Sequence, residues 1–244
     1  MQTEMKFSAR SSPQILGTTR RRWLGTSLGA IAAGAWCSTT TNRVTASAAD
    51  ATRNPESPDE ALAILREGNQ RFVAGKSLSI HRDLERVKEV AAKQTPFAAF
   101  LGCADSRVPI EIVFDQGFGD LFVNRIAGNV ATSENIGSLE FGTLVLGAKV
   151  LYVLGHTNCG AVAATVQGTE VPGQISGLFQ HIRPAVRAAK GNLAKSVEEN
   201  VRLQASVLSE SSPVLSRLIR EKKLIVAGGV YDLQTGIVSQ VDLD

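Results

Sequence analysis

The sequence predicts an α/β fold: a central, mostly parallel β-sheet flanked by helices, with N-terminal helices before it and a C-terminal strand after it. Three observations predict it. Short apolar runs recur at Phe97 to Gly102, Leu121 to Ile126, Val150 to Gly155 and Leu224 to Val230, the pattern of strands buried on both faces. The segments between them, Ile136 to Leu146 and Gly160 to Val166, have helical length. Strands that alternate with helices return through crossovers, and crossovers give a parallel sheet with helices on both faces.

Ser57-Pro58-Asp59-Glu60 opens the domain with a capping-box pattern: Ser at the cap, Pro at the first helical position and Glu at the third. A helix follows to about Val73, with Leu62, Leu65 and Phe72 roughly on one face and Gly75 ending it. A second helix, Arg82 to Lys93, places Leu84, Val87 and Ala91 at helical spacing. After the alternating core, Ile175 to Glu221 reads as helical throughout, with Ser212-Pro213 starting its last helix. Gly236 then turns the chain into a final strand, Ile237 to Val241.

Residues 1–48 differ from this pattern. Residues 19–25 read TRRRWLG, a twin arginine followed by an apolar pair, and Leu28 to Trp36 is a short, glycine-rich apolar stretch. This predicts a twin-arginine export signal and an extracytoplasmic, periplasmic location. The stretch is shorter than the roughly 20 residues a membrane-spanning helix needs, so the mature chain is expected to carry no span. Ala46-Ser47-Ala48 offers a small-x-small cleavage site. Cys37 invites a second reading, a lipid anchor, but Trp36 is a poor neighbour for that cleavage. The expected organisation is a cleaved signal over 1–48, a short linker over 49–56 and one domain over 57–244.

The chain of 244 residues carries a formal net charge of +3, with 26 basic and 23 acidic side chains. Six of the bases (Lys6, Arg10, Arg20, Arg21, Arg22 and Arg43) and one acid (Glu4) fall in the signal, so the remainder holds 20 bases against 22 acids, a net of −2. With no basic patch, nucleic acid is excluded as the expected partner, and a small neutral or anionic ligand is favoured.

Only Cys103 and Cys159 lie beyond the signal. Two cysteines in an exported protein would ordinarily form a disulfide. Each, however, sits among residues that suit metal ligation. Cys103-Ala104-Asp105-Ser106-Arg107 and His156-Thr157-Asn158-Cys159-Gly160 both follow predicted strands, at the carboxyl ends where open α/β sheets place their ligands. One thiolate from the first motif, with an imidazole and a thiolate three residues apart in the second, supplies three zinc ligands: Cys103, His156 and Cys159. Three protein ligands leave a fourth tetrahedral position open, as in catalytic zinc sites.

With CxDSR and HxxCG in this order, the chain resembles the β-class carbonic anhydrases over about Ser57 to Val241. Asp120 to Arg125 and Gly229-Val230-Tyr231-Asp232 also look like that family. Ile126-Ala127-Gly128-Asn129 and the Ala161 after Gly160 depart from it, and neither departure touches a proposed ligand. The resemblance implies one Zn2+ per chain, reversible hydration of carbon dioxide to bicarbonate through zinc-bound hydroxide, and a homodimer or larger homo-oligomer.

Zinc lowers the pKa of a bound water from about 15.7 towards about 7. Two thiolates cancel the charge of the ion and oppose this, so a further group is needed. Asp105 can accept a hydrogen bond from the water, and Arg107 can hold that carboxylate ionised. The family offers a second state in which Asp105 itself binds zinc. Members prone to that control resemble one another in a tryptophan three residues before the first cysteine, whereas open members carry a glutamine nine residues before it. Here those positions are Phe100 and Gln94, which favours the open type. By the same resemblance Gln94 would donate to a substrate oxygen, and Phe122, Ala127 and Phe141 would line an apolar pocket shared across a dimer. Two other activities fit the scaffold, a carbonyl sulfide or carbon disulfide hydrolase and a non-catalytic bicarbonate-binding subunit. His81 and His181 read as surface or capping residues.

Overall fold

The computed structural model describes residues 54–243. The export signal, its cleavage site and Cys37 lie outside the described residues. Helix α1, Pro58–Val73, begins as the capping pattern predicts: the Ser57 side chain accepts from the Glu60 N–H at 3.2 Å, with Pro58 in the first turn. The Glu60 carboxylate does not return to Ser57, however, but accepts from the Glu56 N–H at 2.7 Å, one residue further out. Ala61, Leu62 and Leu65 bury against the sheet, and Phe72 packs at the edge of that cluster.

Helix α2, Leu84–Val90, is shorter than its apolar spacing predicts, and none of its residues is buried. Leu84 is largely exposed, so this stripe does not face the core of the chain. What fixes α2 is polar: Asp83 caps it by accepting from the Arg86 N–H, and the Arg86 side chain donates to the Phe118 carbonyl.

The core follows the predicted alternation. Strand β1 is Ala98–Gly102, then come a one-turn helix α3, Ile110–Val113, strand β2, Leu121–Arg125, and helix α4, Ser133–Glu140. α4 continues into a π-helical turn, Phe141–Val145, where the Thr143 hydroxyl donates to the Leu139 carbonyl. Strand β3, Val150–His156, and helix α5, Gly160–Gln167, complete this half. α3 was not expected, because a single turn is too short to show a period, although Ile110 and Val113 are both buried.

The long helical block divides into three helices, α6, Ile175–Ala188, α7, Leu193–Ser211, and α8, Pro213–Arg220. Lys190 and Gly191 break it with positive φ, and Asn192 caps α7 by accepting from the Lys195 N–H. Ser212 caps α8 in the same way. Strand β4, Ile225–Tyr231, leads into a turn in which the Asp232 carboxylate accepts from the Gln234 and Thr235 N–H groups. The final strand β5 is Val238–Val241. No helix among the described residues is long and apolar enough to cross a membrane.

The strands form one sheet in the order β2-β1-β3-β4-β5, parallel except for β5, which runs antiparallel to β4. Side chains alternate across it. Phe100, Tyr152 and Leu154 join the cluster under α1, whereas Leu101, Leu151 and Val153 face α7 and α8. Gly155 lets α7 approach β3 closely, since a Cβ there would stand 2.8 Å from Val201. β1 and β3 are neighbours from which the chain departs in opposite directions, to β2 and to β4. Their carboxyl ends are therefore the topological switch point.

The N-terminal helices are tied to the core by buried Asp115, whose carboxylate accepts from Arg71 Nε (2.7 Å) and from the Leu78 and Ser79 N–H groups. Burial pushes its carboxyl up, but the Arg71 guanidinium and the two N–H donors outweigh burial and hold it below the usual range. A depressed folded value means the stabilisation is complete above the unfolded pKa of about 3.9 and is lost as pH falls through the folded value. Asp115→Asn keeps the shape and tolerates the positive φ of this position, yet it leaves Arg71 without its counter-charge. Urea unfolding at pH 7 should show a loss of about 3 kcal/mol. The wild type should lose more stability than the variant between pH 5 and pH 3, and parallel pH profiles would contradict this.

Candidate metal centre

At the switch point β1 delivers Cys103 one residue beyond its end, and β3 ends on His156. Asn158 adopts positive φ, a conformation asparagine tolerates, and folds the chain back so that Cys159 stands immediately before α5. Cys103, His156 and Cys159 thereby converge, all three buried, with one ligand atom from each within 4.8 Å of the others. The two sulfurs are 4.0 Å apart, within hydrogen-bond reach and without a disulfide.

The three residues fit a zinc ion. The His156 Nδ1 lies 2.9 Å from the Thr157 carbonyl, which only accepts, so Nδ1 carries the proton and Nε2 presents its lone pair. Nε2 is fully buried with no hydrogen-bond partner, an arrangement that is costly unless something ligates it. A tetrahedral zinc about 2.3 Å from each sulfur would hold the sulfurs roughly 3.8 Å apart, close to the spacing observed.

Without an ion the two thiols behave as a pair that readily gives up one proton and holds the second. The hydrogen bond from Cys159 is the largest cause that lowers the Cys103 thiol, to about 4, helped by the Gly128 and Asp105 N–H groups against burial. The Cys159 thiol is pushed up by the same contact and by burial, which outweigh the pull of the Val162 and Ala161 N–H groups. A bound divalent cation would reverse the second effect and hold both as thiolates.

Asp105 stands at the open side of this cluster, its Oδ2 3.8 Å from His156 Nε2, beyond hydrogen-bonding distance. Its carboxylate is gripped by Arg107 through three donors: Nη2 at 2.7 Å, Nε at 2.9 Å and the backbone N–H at 2.9 Å. The Arg107 side chain is the main reason that the Asp105 carboxyl is held far below the ordinary range, with the Arg107 backbone N–H adding to the effect.

Ala127 precedes Gly128, whose N–H donates to Cys103 Sγ at 3.3 Å, so Ala127 borders the site. Phe122 and the half-exposed Phe141 lie 6.4 Å apart, ring to ring, on β2 and the π turn at the sheet edge. Gln94 is exposed before the amino end of β1, beside Val145 and Leu146. One chain therefore does not bring Gln94 to the cysteines, which lie at the other end of the strand. His81 pairs with Asp120, and the His181 ring contacts Gln180, both outside the cluster.

Sequence reasoning missed three contributors. One is the Gly128 N–H. The second is Arg125, which donates to the carbonyls of Cys103 (2.9 Å) and Asp105 (2.6 Å) and so braces the first motif. The third is the buried pair Asn200 and Gln204 on α7. Their signal was two amides inside the apolar stripe Val197, Val201, Ala205 and Leu208.

Residues 98–238 match the carbonic anhydrase family. Carbonic anhydrase 2 of Mycobacterium tuberculosis is 37% identical over 187 residues, which span 73% of this chain and 90% of that relative. Among solved structures, the β-carbonic anhydrase CafA of Aspergillus fumigatus superposes with a TM-score of 0.61 at 26% identity, over 76% of this chain and 91% of that one. A tetrameric β-carbonic anhydrase of Sordaria macrospora shares the fold, with a TM-score of 0.61 at 20% identity over 72% of this chain and 93% of that one. The relatives named here are carbonic anhydrases, which gives no support to a carbonyl sulfide or carbon disulfide hydrolase or to a non-catalytic bicarbonate-binding subunit. A sequence match that spans β1 through β4, joined to a sheet of the same architecture, places this chain in the β-class carbonic anhydrase family as an enzyme of that kind.

Proposed function

We propose that this enzyme interconverts carbon dioxide and bicarbonate with one zinc ion per chain, held by Cys103, His156 and Cys159, with Asp105 and Arg107 as the groups that act on the reacting water. The observation that carries the reading is the buried, unpartnered His156 Nε2 facing two free thiols, with an ionised carboxylate 3.8 Å away. Zinc, when bound there, supplies a Lewis acid that makes a water nucleophilic near neutral pH.

Everything else in the chemistry falls to the chain. Arg107 keeps Asp105 ionised and fixed in direction, so the carboxylate is an acceptor only. Asp105 then takes a hydrogen bond from the water and turns its lone pair towards the carbon of the substrate. Ala127, with Phe122 and Phe141 in a pocket shared across a dimer, would offer carbon dioxide an apolar wall, which suits a molecule without a dipole. With three donors on it, Asp105 is held away from the metal position, in keeping with Phe100 and Gln94, so the resting site is of the open type.

Gln94 can serve this site only from a second copy, so the reading includes a homodimer or larger homo-oligomer built across the β2 edge. Light scattering that returned a fully active monomer would remove that part. Stopped-flow carbon dioxide hydration, with zinc measured on the same sample, tests the whole: full zinc with no hydration would overturn it.

Residues 1–48 direct the enzyme out of the cytoplasm by the twin-arginine route. Replacing Arg21 and Arg22 together by Lys should leave the protein uncleaved in the cytoplasmic fraction. Export at the wild-type level would point to another route.

A further inference from the structure

We infer that Asn200 and Gln204 are positioning residues for the metal centre. They act through the 126–131 turn to fix the Gly128 N–H on Cys103 Sγ, and thereby set how strongly that thiolate donates to its metal. The inference rests on Cys103 being a ligand.

The turn carrying Gly128 is held on three sides. At the sheet, the Ile126 N–H donates to the Gly102 carbonyl at 3.0 Å, and the Ala104 N–H donates to the Ile126 carbonyl at 3.3 Å. From α6, Ile182 closes over Gly128: a Cβ there would meet Ile182 Cδ1 at 2.7 Å, and φ at this position is +76°. Only glycine fits that space and that conformation. From α7 come the two amides. Asn200 Nδ2 donates to the Gly128 carbonyl at 2.9 Å. Gln204 Oε1 accepts from the Ala131 N–H at 2.8 Å, while its Nε2 donates to the Asn200 Oδ1 and to the His181 carbonyl, each at 3.1 Å.

Both side chains are 1% exposed, and every donor and acceptor on them is used except the second amide hydrogen of Asn200. A satisfied buried network of this kind fixes one geometry. Asn200 grips the carbonyl of the same residue whose N–H faces the sulfur, so a shift of the turn is transmitted directly to the N–H···S contact. A hydrogen bond to a ligating thiolate withdraws electron density from it, so losing that bond shifts the sulfur-to-metal absorption, while a loosened turn no longer holds Cys103 in place and so weakens metal binding. Groups hydrogen-bonded to a metal ligand, as the Gly128 N–H is to Cys103, change affinity or activity by about 10- to 100-fold, and Asn200 acts through that contact.

The test uses the full-length protein loaded with Co2+, whose thiolate-to-metal absorption reports on sulfur donation, and Zn2+ affinity measured by chelator competition. The variants are Asn200→Ala, Gln204→Glu, which keeps the acceptor for Ala131 and loses both donated bonds, and Ser196→Ala. Ser196 is a buried polar residue on the same helix that donates only to Asn192. The expected result is a shifted charge-transfer band and about 10-fold weaker Zn2+ in Asn200→Ala, a smaller shift in the same direction in Gln204→Glu, and an unchanged band in Ser196→Ala even where its melting temperature falls. A wild-type band and affinity in Asn200→Ala, or an equal shift in Ser196→Ala, would overturn the inference. If Asn200→Ala does not fold, Gln204→Glu decides in its place. A wild type with no thiolate band at all would refute the zinc site itself, an outcome distinct from failure of the positioning role.

Discussion

Cys159→Ser should abolish carbon dioxide hydration and bring bound zinc to near zero in the same preparation. A serine hydroxyl does not ionise near neutral pH, so the variant offers one thiolate and one imidazole where the wild type offers two thiolates and an imidazole, converging within 4.8 Å. The position has no compensating donor nearby, because Asp105 is committed to Arg107. The site is buried, and removing one ligand also leaves Cys103 and His156 Nε2 facing each other without a partner between them. The melting temperature should therefore fall along with metal content. Zinc analysis by mass spectrometry and stopped-flow turnover decide the matter together: a variant with one zinc per chain and normal turnover would show that Cys159 is not a ligand.

Arg107→Ala separates the reacting groups from the metal ligands. The guanidinium supplies two of the three hydrogen bonds on the Asp105 carboxylate and is itself exposed, so its loss should cost little stability and no zinc. What it removes is the force that aligns Asp105 and holds it ionised. Turnover should fall about 100-fold, within the range for loss of a positioned acid-base partner. The freed carboxylate, already 3.8 Å from His156 Nε2, should then be found on the metal at neutral pH. A crystal structure of the zinc-loaded variant reads this directly. Retention of half the wild-type rate would show that the pair is only a surface ion pair. Asp105 on the metal in the wild type at about pH 8 would instead refute the open-type reading while leaving the ligands untouched.

Much of this architecture was legible in the sequence because its strongest signals are local. The four strands that carry the site were visible as apolar runs, and Ser57-Pro58 and Ser212-Pro213 marked helix starts by their cap chemistry. CxDSR and HxxCG announced ligands because cysteine and histidine at strand ends have few other uses together. What was hidden is whatever depends on partners far along the chain. The 84–90 helix has an apolar spacing, yet none of its residues is buried among the described residues. The π turn at 141–145 is closed by a backbone bond across five residues, from the Leu146 N–H to the Phe141 carbonyl, which no period reveals. Asn200 and Gln204 reach the turn at 128–131 across more than seventy residues of sequence, so their role shows only once α7 is laid against β3.

The two sulfurs at the switch point come from positions 56 residues apart. An ion held between them is a cross-link as well as a reagent. It closes a loop running from the end of β1 through β2, α4 and β3 to the start of α5. By the chain-entropy relation for cross-links, a loop of this length removes about 4 kcal/mol worth of freedom from the unfolded chain. Parallel strands joined by long crossovers form late, because their contacts lie far apart in sequence. An ion gripped by both sulfurs would hold the first and third strands in register while the crossovers settle, so the metal that equips the enzyme for chemistry also fastens the fold that presents it.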